Sequence, residues 1–241
     1  MTDAAPSPFS VAGKRVLVTG ASSGLGRATT IAMARHGATV VACGRDRARL
    51  EATLSECPGD GHAMSLGDLT QDEAIDAAAD KAGKVDGIVH CAGISIPTPL
   101  RLAKREFVES VFRTNYMAPI MLTQRMLAKG RVSKGGSILF LASSAAYRGV
   151  AGTGIYAGSK GALVATTRCI ALETAKHGIR VNCLAPDLVE TPLIETSGTL
   201  QGSGEWLDMQ RKLHPLGLGK PDGDVIEQDE LATGMRRQFI L

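Results

Sequence analysis

The chain has 241 residues, 44% hydrophobic and 21% charged, which excludes a disordered polymer and suffices for one large domain with a substantial core. Lys and Arg number 27 against 24 Asp and Glu, and a net charge of +3 is too even for the basic stripe of a nucleic-acid binder. No run approaches the ~20 apolar residues of a membrane span, and the first residues lack a secretory apolar core, so a cytoplasmic setting with no membrane partner is expected.

In chain order, residues 1–13 read as an N-terminal extension before a first strand at Arg15–Thr19. Further strands are predicted at Thr39–Gly44, His62–Ser65, Gly87–Cys91, Ser137–Leu141 and Arg180–Leu184, most of them unbroken apolar runs as in parallel strands buried on both faces. Helical patterns lie between them, at Leu25–His36, Arg47–Ser55, Gln71–Lys81, Lys104–Lys129 and Tyr156–His177. Gly37 and Gly178 suit the left-handed position after a helix end, and Thr70 with Glu73 reads as a capping box. The alternation predicts an α/β fold, a Rossmann-type doubly wound parallel β-sheet with helices on both faces, in a single domain over residues 1–241. The stretch 193–213, rich in Ser, Thr and Gly before an amphipathic Glu205–Leu213, reads as a substrate lid, and 223–241 as an atypical tail. Five scattered cysteines without a CxxC pair, and five histidines without an HExxH, predict no disulfide framework and no metal site.

The first strand runs into Thr19-Gly20-Ala21-Ser22-Ser23-Gly24-Leu25-Gly26, within which a helix begins. Gly20 permits a tight turn, Gly24 lets backbone N–H groups approach a pyrophosphate, and Gly26 allows close helix–strand packing. The helix N-terminus adds partial positive charge beneath the phosphates, so the segment, Ser22 included, predicts a dinucleotide site, with Thr19 and Ser23 as its hydroxyl donors. At the end of the second strand Gly44 stands where an NAD site places an acid for the ribose, and Arg45 follows it. A guanidinium pairs readily with a phosphate, which favours NADP(H) over NAD(H). Further on, Ser143 follows the fifth strand, and Tyr156 and Lys160 lie one helical turn apart. An ammonium beside a phenol lowers its pKa, so Tyr156 is expected to work as a general acid or base with Ser143 steadying the same oxygen. Ser144 is the alternative for the serine role.

The Gly-xxx-Gly-x-Gly spacing with Ser143 and Tyr156-xxx-Lys160 resembles the short-chain dehydrogenase/reductase family, and its general pattern is similar to 3-oxoacyl-[acyl-carrier-protein] reductases. The resemblance implies Asn115 as a fourth catalytic residue, holding a water that links Lys160 to solvent. It implies cofactor contacts from Asp68 and Leu69 to adenine, from Cys91, Ala92 and Gly93 beneath the dinucleotide, and from Pro186, Val189 and Thr191 to the nicotinamide carboxamide. The chain departs from the family at His90-Cys91, where relatives carry Asn-Asn, and at Asp187, where they carry Gly. It also ends without the helix, seventh strand and closing segment of relatives, so the C-terminal strand is missing or divergent in pattern. The implied activity is NADPH-dependent reduction of a carbonyl to a hydroxyl, with a 3-oxoacyl thioester on a carrier protein as the first substrate candidate. Lys129, Arg131 and Lys134 offer a basic edge for such a carrier. Sugar, steroid or small-ketone dehydrogenases of the same family, or a non-catalytic nucleotide-binding homologue, are the alternatives. A homo-oligomer, dimer or tetramer, is implied as well.

Overall fold

The computed structural model describes residues 10–194 together with Asp208 and Lys212; the expected lid beyond Ile194, the Glu205–Leu213 helix and the tail lie otherwise outside the described residues. Six strands form one sheet: β1 (Arg15–Thr19), β2 (Thr39–Gly44), β3 (Ala63–Leu66), β4 (Val85–His90), β5 (Val132–Leu141) and β6 (Arg180–Leu184). Their order is β3-β2-β1-β4-β5-β6, and every pairing is parallel. The chain moves outward from β1 to β3 and then returns to lay β4 on the other side of β1. That reversal leaves a crevice above the carboxyl ends of β1 and β4, where ligands of doubly wound sheets bind.

Both faces of the sheet are buried. On β1 and β2, Leu17, Val41 and Cys43 point to one side, where they pack with Ile75 and Ala79 of α3 (Asp72–Ala82), Leu122 and Met126 of α5 (Ala118–Ala128), and Leu163 of α6 (Gly154–Thr174). Val16, Val18, Val40 and Ala42 point to the other, against Ile31 and Ala34 of α1 (Gly24–Arg35) and Leu50 of α2 (Arg47–Ser55). Period-two side chains buried on alternate faces are why these strands read as continuous apolar runs.

The structure corrects several expected boundaries. β5 begins at Val132 rather than Ser137, because Val132 pairs with Val85 while residues 133–136 loop out before Ser137 pairs with Gly87. β4 starts at Val85 and ends at His90, leaving Cys91 outside the strand. The Thr70–Glu73 capping box does not form: α3 is capped at Gln71 without a side-chain bond, and the Thr70 N–H is taken by Asp68 Oδ1 at 3.0 Å. The largest difference lies in Lys104–Lys129, which is α4 (Arg105–Phe112), a π-helical turn over Arg113–Met117, and then α5. Pro119 has no N–H to give to the Asn115 carbonyl four residues earlier, and the Ala118 N–H bonds instead to Arg113 O, five residues back. Gly37 and Gly178 have positive φ as expected. No helix among the described residues is long and apolar enough to cross a membrane.

His90, at the end of β4, lies in the core at 3% exposure. Its ring stacks on Phe140 at 4.9 Å between centroids, and its Nε2 meets the Thr123 hydroxyl of α5 at 2.8 Å. Burial disfavours the imidazolium and pushes its pKa down to about 3. An unfolded histidine titrates near ~6.5. Between those values the unfolded chain takes up a proton that the folded chain refuses, so this contribution to stability is whole above pH ~6.5 and is lost as pH falls toward 3. Denaturant unfolding should therefore show a loss of about 1.4 kcal/mol per pH unit below ~6.5 that His90→Asn reduces; equal slopes in both chains would overturn this assignment.

Candidate active site

The glycine segment turns from β1 into α1 through the crevice. Gly20 has φ +68°, and a Cβ there would lie 2.8 Å from Ala92 N, so the turn requires glycine for both conformation and space. A Cβ on Gly26 would lie 2.2 Å from Gly20 O, which is how closely α1 begins against its own loop. Ser23 caps α1 without spending its side chain on the helix, leaving that hydroxyl available beside the first-turn amides. Together Gly20, Ser22, Ser23, Gly24, Leu25 and Gly26 form one wall of a cavity.

The opposite walls come from the ends of β2, β3 and β4. Gly44 and Arg45 line the cavity, and Asp68 and Leu69 close its far end. Arg45 Nη1 lies 3.9 Å from Asp68 Oδ2 with the guanidinium stem 72% exposed, a loose pair that leaves Arg45 movable. Its neighbours are committed elsewhere: Asp46 caps α2 by accepting from Arg49 N at 3.0 Å, and Arg47 pairs with Glu51. The Thr70 backbone N–H holds the Asp68 carboxyl below its ordinary range. Cys91, Ala92 and Gly93 form the floor, and burial pushes the Cys91 thiol up to about 12. Thr19 is not part of this lining; it is 2% exposed, and its hydroxyl accepts from Ala92 N at 3.2 Å, tying β1 to the segment after β4.

The glycine cradle, the uncapped amides and the narrow floor fit a nicotinamide dinucleotide. Its adenosine end would lie by Arg45 and Asp68 and its pyrophosphate over the start of α1.

A second cavity continues from the first, sharing Leu25, Cys91, Gly93, Thr191 and Leu193. Here Ser143, Tyr156 and Lys160 come together with Pro186 and Val189. Ser143 caps the start of a 3₁₀ turn over Ser144–Ala146, its hydroxyl accepting from Ala145 N at 3.2 Å. Ser144 also lines this cavity but spends its hydroxyl on Asp187 Oδ1 at 2.8 Å, whereas the Ser143 hydroxyl is hydrogen-bonded to Tyr156. Burial raises the Tyr156 pKa, with the Ser143 hydroxyl acting against it. The lowering expected from Lys160 is not what this arrangement gives. Lys160 Nζ turns to Leu141 O at 2.7 Å and stands 5.8 Å from the Tyr156 ring centroid, and its own burial lowers its pKa to about 8. The ammonium is engaged by the Leu141 carbonyl rather than by the phenol, and burial is what dominates at Tyr156.

Asn115 reaches the same place from the π-helical turn. Its amide accepts from Ile94 N at 2.8 Å and donates to Ile94 O at 2.9 Å and Ser159 Oγ at 3.1 Å. A Cβ on Gly93 would lie 3.3 Å from Asn115 Oδ1 and 3.4 Å from Lys160 Nζ, so glycine keeps open the space between them. Asp187, unexpected in the sequence pattern, joins the loop after β6 to the Ser143 loop through Ser144 and Arg148, while Pro186 O accepts from Ser144 N at 2.9 Å. Nothing in the sequence pattern singled out Arg148, because its meaning depends on Asp187, 39 residues later.

The profile of the short chain dehydrogenase family matches residues 14–201. The chain is 37% identical to an L-xylulose reductase of Mesocricetus auratus over 189 residues, 78% of this chain and 76% of that protein. It is 33% identical to a 3-oxoacyl-[acyl-carrier-protein] reductase of Thermotoga maritima over 189 residues, 76% of this chain and 77% of that one. A crystal structure of a dehydrogenase/reductase from Sinorhizobium meliloti superposes with TM-score 0.80 at 29% identity, covering 88% of this chain and 84% of that chain.

Gly20→Ala should force the Ala92 backbone away and close the cradle. We expect at least a tenfold weaker dinucleotide affinity by fluorescence titration and a lower thermal midpoint; wild-type values for both would sink this account of the loop.

Proposed function

This chain belongs to the short-chain dehydrogenase family of oxidoreductases, and from that premise we propose that it is an NADPH-dependent reductase of a small polyhydroxylated ketone. The observation that carries the reading is the meeting of Ser143, Tyr156 and Lys160 at one end of a continuous crevice whose other end is the glycine cradle. A nicotinamide dinucleotide supplies hydride when bound there. Tyr156 then protonates the carbonyl oxygen; its raised pKa keeps the phenol in the donor form through neutral pH. Ser143 donates to the same oxygen as negative charge develops on it. Lys160, with its pKa near 8, is suited to pass a proton on to Tyr156, and Asn115 and Gly93 lie beside its ammonium.

The preference for NADPH rests on Arg45 beside a glycine. At Gly44 no carboxylate is present to bind a ribose diol or repel a 2′-phosphate, and Arg45 is free to turn toward that phosphate.

A sugar-like ketone is supported over a carrier-bound thioester by two observations. The L-xylulose reductase shares more identity with this chain than the 3-oxoacyl reductase does over the same number of residues. Two of the three residues of the basic edge expected to meet an acidic carrier are also engaged within the chain: Lys129 pairs with Asp76 and Asp80, and Arg131 with Asp80 at 2.7 Å.

Tyr156→Phe should lower kcat by about 10²–10⁴-fold while NADPH still binds by fluorescence titration; undiminished turnover would refute the proton-transfer role. Gly44→Asp places a carboxylate between Ser22 and Leu50 and should move preference toward NADH, read as at least a tenfold change in the ratio of the two Kd values. An unchanged ratio would remove position 44 from cofactor selection.

A further inference from the structure

Arg148 and Asp187 form a half-exposed ion pair that lines the cavity holding Ser143, Tyr156 and Lys160. Asp187 Oδ1 accepts from Arg148 Nη2 and from Ser144 Oγ at 2.8 Å, which fixes the carboxylate relative to Ser143, one residue away. Their side chains are 50% and 37% exposed, so the pair stays wet and contributes little to stability. The guanidinium carries five N–H donors, and among the described residues its side chain contacts Asp187 through Nη2.

We propose that this pair recognises hydroxyl groups on the substrate carbons next to the reacting carbonyl, and so selects a polyhydroxy ketone; the proposal rests on the reductase reading above. A vicinal diol fits a guanidinium beside a carboxylate, because one oxygen accepts from Arg148 while the neighbouring hydroxyl donates to Asp187. Arg148 and Asp187 carry opposite charges, so the pair by itself favours neither an anionic nor a cationic substrate group. An acyl chain would strip water from both charges and return no hydrogen bond. A site that hydrogen-bonds a hydroxyl discriminates against the analogue lacking it, because its own polar groups are left unpaired.

The experiment measures kcat and KM with NADPH for L-xylulose, butane-2,3-dione and acetoacetate, on the wild type and on Arg148→Met, Asp187→Asn and Arg148→Lys. The wild type should prefer L-xylulose. In Arg148→Met and Asp187→Asn the ratio of kcat/KM for L-xylulose to that for the dione should fall roughly tenfold or more, chiefly through KM, with Arg148→Lys between them and wild type. NADPH titration of each variant reports folding and the nicotinamide seat; if Asp187→Asn loosens the cofactor, the ratio in Arg148→Met decides. An unchanged ratio, equal losses on both substrates, or a wild type that favours the dione or acetoacetate overturns hydroxyl recognition and leaves the reductase reading standing. A wild type that reduces none of the three overturns both.

Discussion

Everything at the site depends on how closely two backbones approach where the sheet forks. β1 and β4 are neighbours in the sheet, but the chain leaves them in different directions, β1 into the glycine turn and β4 into Cys91-Ala92-Gly93. Gly20 lies against Ala92 with no room for a Cβ, and Thr19 spends its hydroxyl on the Ala92 amide. That contact sets the width of the crevice. A wider fork would lose the floor formed by Cys91, Ala92 and Gly93, and a narrower one would shut the passage from the cradle to Tyr156. The cost is a position at which only glycine is tolerated, and β1 and β4 bear it because both are buried on two faces and cannot easily shift.

The end of the crevice at Tyr156 is built differently, by convergence on a buried amine. Lys160 reaches from α6 to the last carbonyl of β5, Gly93 leaves space above it, and Asn115 braces the loop after β4 through both the N–H and the C=O of Ile94. Four chain segments far apart in sequence therefore fix one ammonium in a poorly solvated place, and its lowered pKa follows from that confinement. The site holds a reactive group by burying it, at the expense of some stability.

Much of this was legible in the sequence because the signals are local. Unbroken apolar runs marked the strands, and the Gly20–Gly26 spacing and the Tyr156–Lys160 turn marked the site within single elements. Failures came where long-range contacts decide. Cys91 reads as the end of a strand by hydrophobicity, yet β4 stops at His90, and Thr70 offers a cap whose backbone is claimed by Asp68. Tyr156 looked acidified by Lys160, but the direction in which Nζ turns is set by Leu141 on another element. The break at Arg113–Met117 did have a local signal: Pro119 inside a helical pattern removes a donor, and the apolar periodicity on either side concealed it.

That π-helical turn makes the helix an unusual place to gain or lose a residue. Each residue of an α-helix advances the chain by about 100°, so the extra residue in the wide turn offsets the faces of α4 and α5 against each other by nearly a third of a circle. Losing one residue between 113 and 117 would regularise the hydrogen bonds and twist one half of the helix against its neighbours. Either Asn115 would leave its place between Ile94 and Ser159, or Leu122 and Met126 would turn out of the core. The length of this segment is thus constrained as tightly as its composition, and homologous chains that share the site should align through it without a gap.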